Sequence, residues 1–145
     1  MIGLIQRVTH ASVSVENTVC GEINQGIMLL LGIQRDDDQT HADRLLEKIL
    51  NYRIFADSNG KMNLSLRDIN GGLLIVSQFT LAADTKKGLR PSFTSAAAPE
   101  DAEALYNHFT ARAKNIYQDT QCGIFAANMQ VSLCNDGPVT FSLQS

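Results

Sequence analysis

Two uninterrupted apolar runs, Ile27-Met28-Leu29-Leu30-Leu31-Gly32-Ile33 and Leu73-Leu74-Ile75-Val76, constrain this chain more than any other feature. Turn-forming residues precede each: Gly21 to Gly26 before the first, and Asn70-Gly71-Gly72 before the second. A strand with one wet face alternates apolar and polar residues. These runs do not alternate, so each reads as a strand buried on both faces, or nearly so. The longest stretch, Ile27 to Leu31, is far shorter than the ~20 residues a membrane-spanning helix requires.

The remaining pattern surrounds these strands with more β structure and two helices. Residues 2–8 and 11–15 read as strand, with Val13 and Val15 alternating with Ser12 and Ser14. Asp36-Asp37-Asp38-Gln39-Thr40 precedes a helical stripe of Leu45, Leu46, Ile49 and Leu50, so the acids are expected at a solvated helix start, where the helix dipole favours them. Tyr52 to Phe55 begins a strand, Asp57-Ser58-Asn59-Gly60 turns, and Met62 to Leu66 alternates as a strand does. A polar, basic loop is expected from about Ala82 to Ala98, and loops of that length in a compact domain are usually functional. Pro99 opens a second helix, with Leu105, Phe109, Ala113 and Ile116 as its core stripe. Met129 to Leu133 and Val139 to Leu143 read as strands joined by a turn at Asn135-Asp136-Gly137. The expectation is one α+β domain over residues 1–145, with a mixed or largely antiparallel sheet.

Composition narrows the function. A chain of 145 residues buries roughly 70% of its unfolded surface and needs no disulfide or metal staple. The net charge of −3 argues against a general nucleic-acid coat, so any RNA contact must use a local basic patch. Cys20, Cys122 and Cys134 are odd in number and unpaired in spacing, which points to reduced thiols in a cytoplasmic protein. The N-terminus lacks the pattern of a signal peptide, and no membrane association is expected. His10, His41 and His108 stand apart from one another and from any cysteine pair, so no metal site and no cofactor are expected. His41 and His108 fall on helices, where a solvated or half-buried role is favoured over catalysis. Magnesium at the Asp36–Asp38 run is the weaker reading of those acids. No G-x-S-x-G elbow, Walker loop or G-x-G-x-x-G fingerprint occurs.

Two segments stand out. In Ser77-Gln78-Phe79-Thr80-Leu81 an apolar strand gives way abruptly to hydroxyl and amide side chains. It is either an ordinary polar strand end or a pocket wall whose backbone N–H groups face a reacting carbonyl. Asn135-Asp136-Gly137-Pro138-Val139-Thr140 is either a plain turn or something more specialised, and the isomer of its Gly-Pro bond is open at this level.

Taken together these segments resemble the S-Q-x-x-L and N-x-x-P-V-T signature pair of the D-aminoacyl-tRNA deacylase family. Ile5-Gln6-Arg7-Val8, Tyr52-Arg53-Ile54-Phe55, Lys61-Met62-Asn63 and Arg90-Pro91-Ser92-Phe93 also resemble it, and the likeness runs over essentially the whole chain. The resemblance implies a barrel-like core and a homodimer with active sites at the interface. It implies that Gly137-Pro138 is cis and enters the partner's site, anchored by Arg7 beside Gln6. By the same likeness Ser77, Gln78, Phe79 and Thr80 receive the 3′-terminal adenosine and the ester, while Phe125 and Met129 line the adenosine side. The substrate implied is D-aminoacyl-tRNA and not DNA. RNA contact is expected from Lys86, Lys87 and Arg90, with Arg53 and Lys61 as further candidates. No base is visible that would activate Thr80, so catalysis assisted by the substrate's own 2′-hydroxyl is favoured, with backbone N–H groups near Gln78, Phe79 and Thr80 holding the oxyanion. Two rivals stand beside this reading: a non-catalytic RNA- or nucleotide-binding dimer, and an esterase with Thr80 or Ser77 as nucleophile.

Overall fold

A computed structural model describes residues 1–86 and 88–145. Strand β1 (Ile2–Val15) is long enough to pair differently along its two halves. Its first half runs antiparallel to β3 (Gly26–Gly32), and its second half to β2 (Thr18–Ile23). The long β8 (Met129–Gln144) covers its other edge from end to end. β3 pairs in parallel with β6 (Gly72–Ser77), which pairs in parallel with β7 (Thr120–Cys122). The sheet order is β2-β1-β3-β6-β7, and β2 packs back toward β6 and β7, so the sheet curls into the barrel-like form expected.

The two apolar runs occupy the centre of this sheet, and both of their faces are dry. Ile27, Leu29 and Leu31 of β3, with Leu73 and Ile75 of β6, face one cluster that includes α1 (Gln39–Asn51) and α3 (Pro99–Ile116). Met28, Leu74 and Val76 face the barrel interior, with Val8, Val13 and Ile23. Central parallel strands are covered on both sides, which is why neither run alternates. Each fully buried Leu or Ile contributes about 1.5–3 kcal/mol of transfer free energy, and Leu29, Leu45, Ile49 and Leu73 are completely buried.

Close backbone approach requires glycine where β3 and β6 begin. A Cβ on Gly26 would lie 1.9 Å from the Gly72 carbonyl oxygen. Among the described residues no helix is long and apolar enough to cross a membrane.

Several local expectations are corrected. The reversal before β3 is confined to Asn24 and Gln25, because Thr18–Ile23 is strand. Met62–Leu64 forms the short β5, paired with β4 (Phe55–Ala56), but Leu66–Ile69 is a one-turn helix, α2. Its start is set by Ser65 and Asp68 capping each other, a device that periodicity does not reveal. The three acids before α1 do not share one solvated role. Asp38 is the N-cap, reciprocally bonded with His41, and the His41 backbone N–H holds its carboxyl below the usual range. Asp37 is tucked in, accepting from the Met1 amino group and from the Gln34 N–H. His108 bonds Asp43 across the α1–α3 contact at 2.9 Å, the half-buried role expected of it. Cys20, Cys122 and Cys134 are free thiols on strands.

Candidate functional site

The site is built where β6 runs out. Ser77 is the last ladder residue, opposite Leu31 of β3. Gln78 then donates its backbone N–H to the Leu31 carbonyl at 2.8 Å, and the chain tightens into a 3₁₀ turn over Phe79–Ala82. The turn lies flat against β3 because residue 32 is glycine: a Cβ there would sit 2.8 Å from Leu81 Cβ. Among the described residues the N–H groups of Phe79 and Thr80 find no backbone acceptor. The expectation that the Gln78 N–H holds an oxyanion is therefore corrected, since the β3 ladder already uses that donor; Phe79 and Thr80 carry the free ones.

Ser77, Gln78 and Phe79 form one wall of a cavity of about 870 Å³. Phe93, Ala96 to Ala98, the start of α3, Phe125 to Ala127, and Met129 and Val131 of β8 form others. Phe125 and Met129 share this cavity with Ser77, Gln78 and Phe79. The lining is mostly apolar, and Arg35 and Asp101 are its charged members. The exposed Phe79 ring packs on Phe93 with centroids 5.1 Å apart. Thr80 lies outside the lining but is tied to it, because the Gln78 side-chain amide donates to its hydroxyl at 2.6 Å. Among the described residues no histidine, carboxylate or lysine hydrogen-bonds to Ser77 or Thr80, so neither hydroxyl has a base to activate it.

Behind the cavity, Tyr106 of α3 joins two of its walls. The phenol reaches the Ile75 carbonyl at 3.2 Å and the Gly123 carbonyl at 3.0 Å, while its ring packs against Phe125 at 5.7 Å. Burial pushes this phenol well above its ordinary range. Ala126, at the cavity wall, is held at φ 58°, an αL conformation that costs a non-glycine residue about 1–2 kcal/mol.

The second expected segment is on the chain but not in this cavity. Gln6 pairs with Thr140, and Val8 pairs with Asn135. Asp136 to Val139 therefore bulge out of β8 opposite Arg7 alone. The expected turn between two strands is corrected to a bulge within one strand, because β8 keeps β1 as its partner on both sides. Asn135 closes the bulge: its side-chain oxygen accepts from the Val139 N–H at 2.7 Å, and its amide donates to the Thr140 hydroxyl at 2.8 Å. Arg7 holds it from beneath, donating from Nε to the Asp136 carbonyl at 3.0 Å and from Nη1 to the Ile54 carbonyl at 2.7 Å. The Gly137-Pro138 bond is cis and both residues are exposed at the crest. The structure thus joins Gln6, Arg7, Gly137 and Pro138 into one unit, and Ser77, Gln78, Phe79, Phe125 and Met129 into another.

Lys86 and Arg90 are exposed on the loop that leads from the 3₁₀ turn back to the cavity; Lys87 lies outside the described residues. Asp84 and Ser92 bridge the base of this loop. Among the described residues no group of three or more His, Cys, Asp or Glu side chains is placed to hold a metal. Sequence reasoning missed Arg35 and Tyr106. A tyrosine beside the apolar stripe of this helix was the available signal for the second, since a buried phenol needs a partner.

Known proteins match the chain over nearly its whole length. The family model described as D-Tyr-tRNA(Tyr) deacylase matches residues 4–144. A D-aminoacyl-tRNA deacylase of Pseudoalteromonas translucida (strain TAC 125) is 64% identical over 143 residues, covering 99% of each chain. One of Stutzerimonas stutzeri (strain A1501) is 61% identical over 145 residues, covering 100% of each. A solved structure named c-Myc DNA Unwinding Element Binding Protein superposes with a TM-score of 0.95 at 42% identity, covering 100% of this chain and 99% of that one.

Proposed function

The chain belongs to the D-Tyr-tRNA(Tyr) deacylase family, and from that premise we propose that it hydrolyses the ester of D-aminoacyl-tRNA, releasing a free D-amino acid and tRNA. The observation that carries the reading is the cavity at the end of β6, with polar Ser77 and Gln78 set into an apolar wall and free N–H groups at Phe79 and Thr80. Such a site suits a nucleoside carrying an ester: flat apolar surface for the base, and donors for one oxygen.

The chemistry asks little of acid–base side chains. The oxygen of a water adds to the ester carbonyl carbon, the bond from that carbon to the ribose oxygen breaks, and the ribose oxygen takes the proton. α-Amino esters are already activated, so holding the developing oxyanion supplies much of the rate. Phe79 and Thr80 N–H are the donors in this scheme. The substrate's neighbouring 2′-hydroxyl assists the water, a role supported by the lack of a hydrogen-bonded base at Ser77 or Thr80. Gln78 positions Thr80, and Phe125 and Met129 flank the nucleoside.

Chirality in this proposal comes from a second copy of the chain. Gly137 and Pro138 are exposed and line neither the cavity at the end of β6 nor the polar cleft beside Met1, which supports delivery of this crest into a partner's site in a homodimer. A rigid wall close to the α-carbon admits hydrogen but not an L side chain, whereas a D side chain points into open space. Glycine offers nothing to reject, so glycyl esters, including glycine mischarged on alanine tRNA, are substrates. Lys86, Lys87 and Arg90 take the RNA, and the work is cytoplasmic because charged tRNA is there.

A second reading, a non-catalytic nucleic-acid-binding module, is favoured by the name of the solved structural relative. Deacylation of D-tyrosyl-tRNA against L-tyrosyl-tRNA, by the natural chain and by Thr80→Ala, separates the readings. Loss of the D-ester alone with both proteins is the expected result. Activity that disappears in a folded Thr80→Ala protein would restore Thr80 as nucleophile, and loss of neither ester would leave the binding module.

A further inference from the structure

We propose that Arg35 binds the phosphodiester immediately 5′ of the substrate's terminal nucleoside; this rests on the deacylase reading. Arg35 follows β3 and stands on the ridge between two concavities, lining both the large cavity and a polar cleft of about 370 Å³. Its place is fixed by the chain opposite: its N–H donates to the Ser95 carbonyl at 3.1 Å, and its guanidinium donates to the Thr94 carbonyl. Thr94 and Ser95 follow Phe93, whose ring packs on Phe79. The guanidinium is therefore tethered to the same short segment that forms the aromatic edge of the cavity.

Only one of its N–H donors is committed to Thr94, and among the described residues no carboxylate lies within ion-pair distance of it. A planar fork of free donors matches two phosphate oxygens. The other charged member of the cavity lining is Asp101, which repels phosphate. The polar cleft beyond the ridge carries Asp36 and is no better. A polynucleotide whose last nucleoside fills an apolar cavity must bring its next group, a phosphodiester, to the mouth. On a chain of net charge −3, that anion needs a local cation there. Lys86 and Arg90 do not line the cavity, so they suit phosphates further along the strand.

The test compares two D-tyrosyl esters, that of intact tRNA and that of free adenosine, which has no phosphate. The proteins are the natural chain, Arg35→Gln and Arg35→Lys, each assayed across a salt series. Arg35→Gln is expected to lose on the order of tenfold in kcat/KM on the tRNA ester at low salt, mostly in KM, and several times more than on the adenosine ester. The log–log salt slope on tRNA flattens by about 0.7, the value of one single-strand phosphate contact, and Arg35→Lys restores the slope. Equal losses on both esters, or an unchanged slope, would overturn the proposal and leave Arg35 as a clamp on Thr94. A natural chain that hydrolyses neither ester would overturn the deacylase reading itself, and this inference with it.

Discussion

Replacing Arg7 with alanine and, separately, Asp136 with asparagine distinguishes two ways of holding the bulge at Gly137-Pro138. One is the ion pair between Arg7 and Asp136, at 3.3 Å. The Asp136 side chain is 45% exposed, so solvent screens the pair, and such pairs contribute under about 1 kcal/mol. The other is the pair of hydrogen bonds from Arg7 to the Asp136 and Ile54 carbonyls, at 3.0 and 2.7 Å. The Arg7 side chain is only 15% exposed, and charge-assisted bonds in such surroundings contribute roughly 1.5–3 kcal/mol each. Taking the lower end, because water can replace part of them, Arg7→Ala costs about 3 kcal/mol and Asp136→Asn under about 1. For a domain of this length that is a fall in Tm of roughly 6–12 °C for Arg7→Ala and at most a few degrees for Asp136→Asn. Thermal unfolding followed by circular dichroism reads both. Deacylation run in parallel should show Arg7→Ala losing discrimination between D- and L-esters, because the crest then keeps only the Asn135 bonds and loses its anchor from beneath. Equal destabilisation by the two variants would refute the reasoning and make the ion pair the anchor.

Three further outcomes follow from the geometry. Tyr106→Phe keeps the ring on Phe125 but leaves the Gly123 carbonyl without its phenol, and is expected to cost about 1–3 kcal/mol in urea unfolding. The same residue gives an alkaline signature. Burial raises the folded phenol, while the unfolded one titrates near ~10, so its contribution is full below that pH and is lost as pH rises from there toward the folded value. The loss of stability above pH ~10 should therefore be shallower in Tyr106→Phe than in the natural chain. Gly137→Ala places a Cβ 2.8 Å from Val139 Cγ2 and 2.9 Å from Arg7 Nη2 at φ 132°, so it should destabilise by more than about 1 kcal/mol and displace the crest; a variant with unchanged Tm and chiral preference would contradict that crowding.

The parts of the fold that were legible are those whose pattern is local. Ile27 to Ile33 and Leu73 to Val76 announce double burial by their own composition, and Pro99 marks the start of α3 by its own chemistry. What escaped depends on partners far along the chain. Asn135 to Thr140 has the composition of a hairpin turn; only pairing with β1, more than a hundred residues earlier, makes it a bulge. Asp37 reads as solvated until the Met1 amino group is placed beside it. The Gln78 N–H looked free because the β3 ladder continues one residue past the strand. Of the site, Ser77, Gln78, Phe79, Phe125 and Met129 could be assembled only through family resemblance. Arg35 and Tyr106 enter through the folded chain alone, the first by its position at a rim and the second by carbonyls on β6 and after β7.

The central claim is that the site discriminates by exclusion, rejecting an L side chain and recognising nothing else about the amino acid. Initial rates of deacylation on D-alanyl-, glycyl- and L-alanyl-tRNA, measured side by side, test it most directly. Exclusion predicts that the D-alanyl and glycyl esters are both hydrolysed while the L-alanyl ester survives at its uncatalysed rate. A glycyl ester as inert as the L-alanyl ester would contradict it, because the site would then have to grip a D side chain to work.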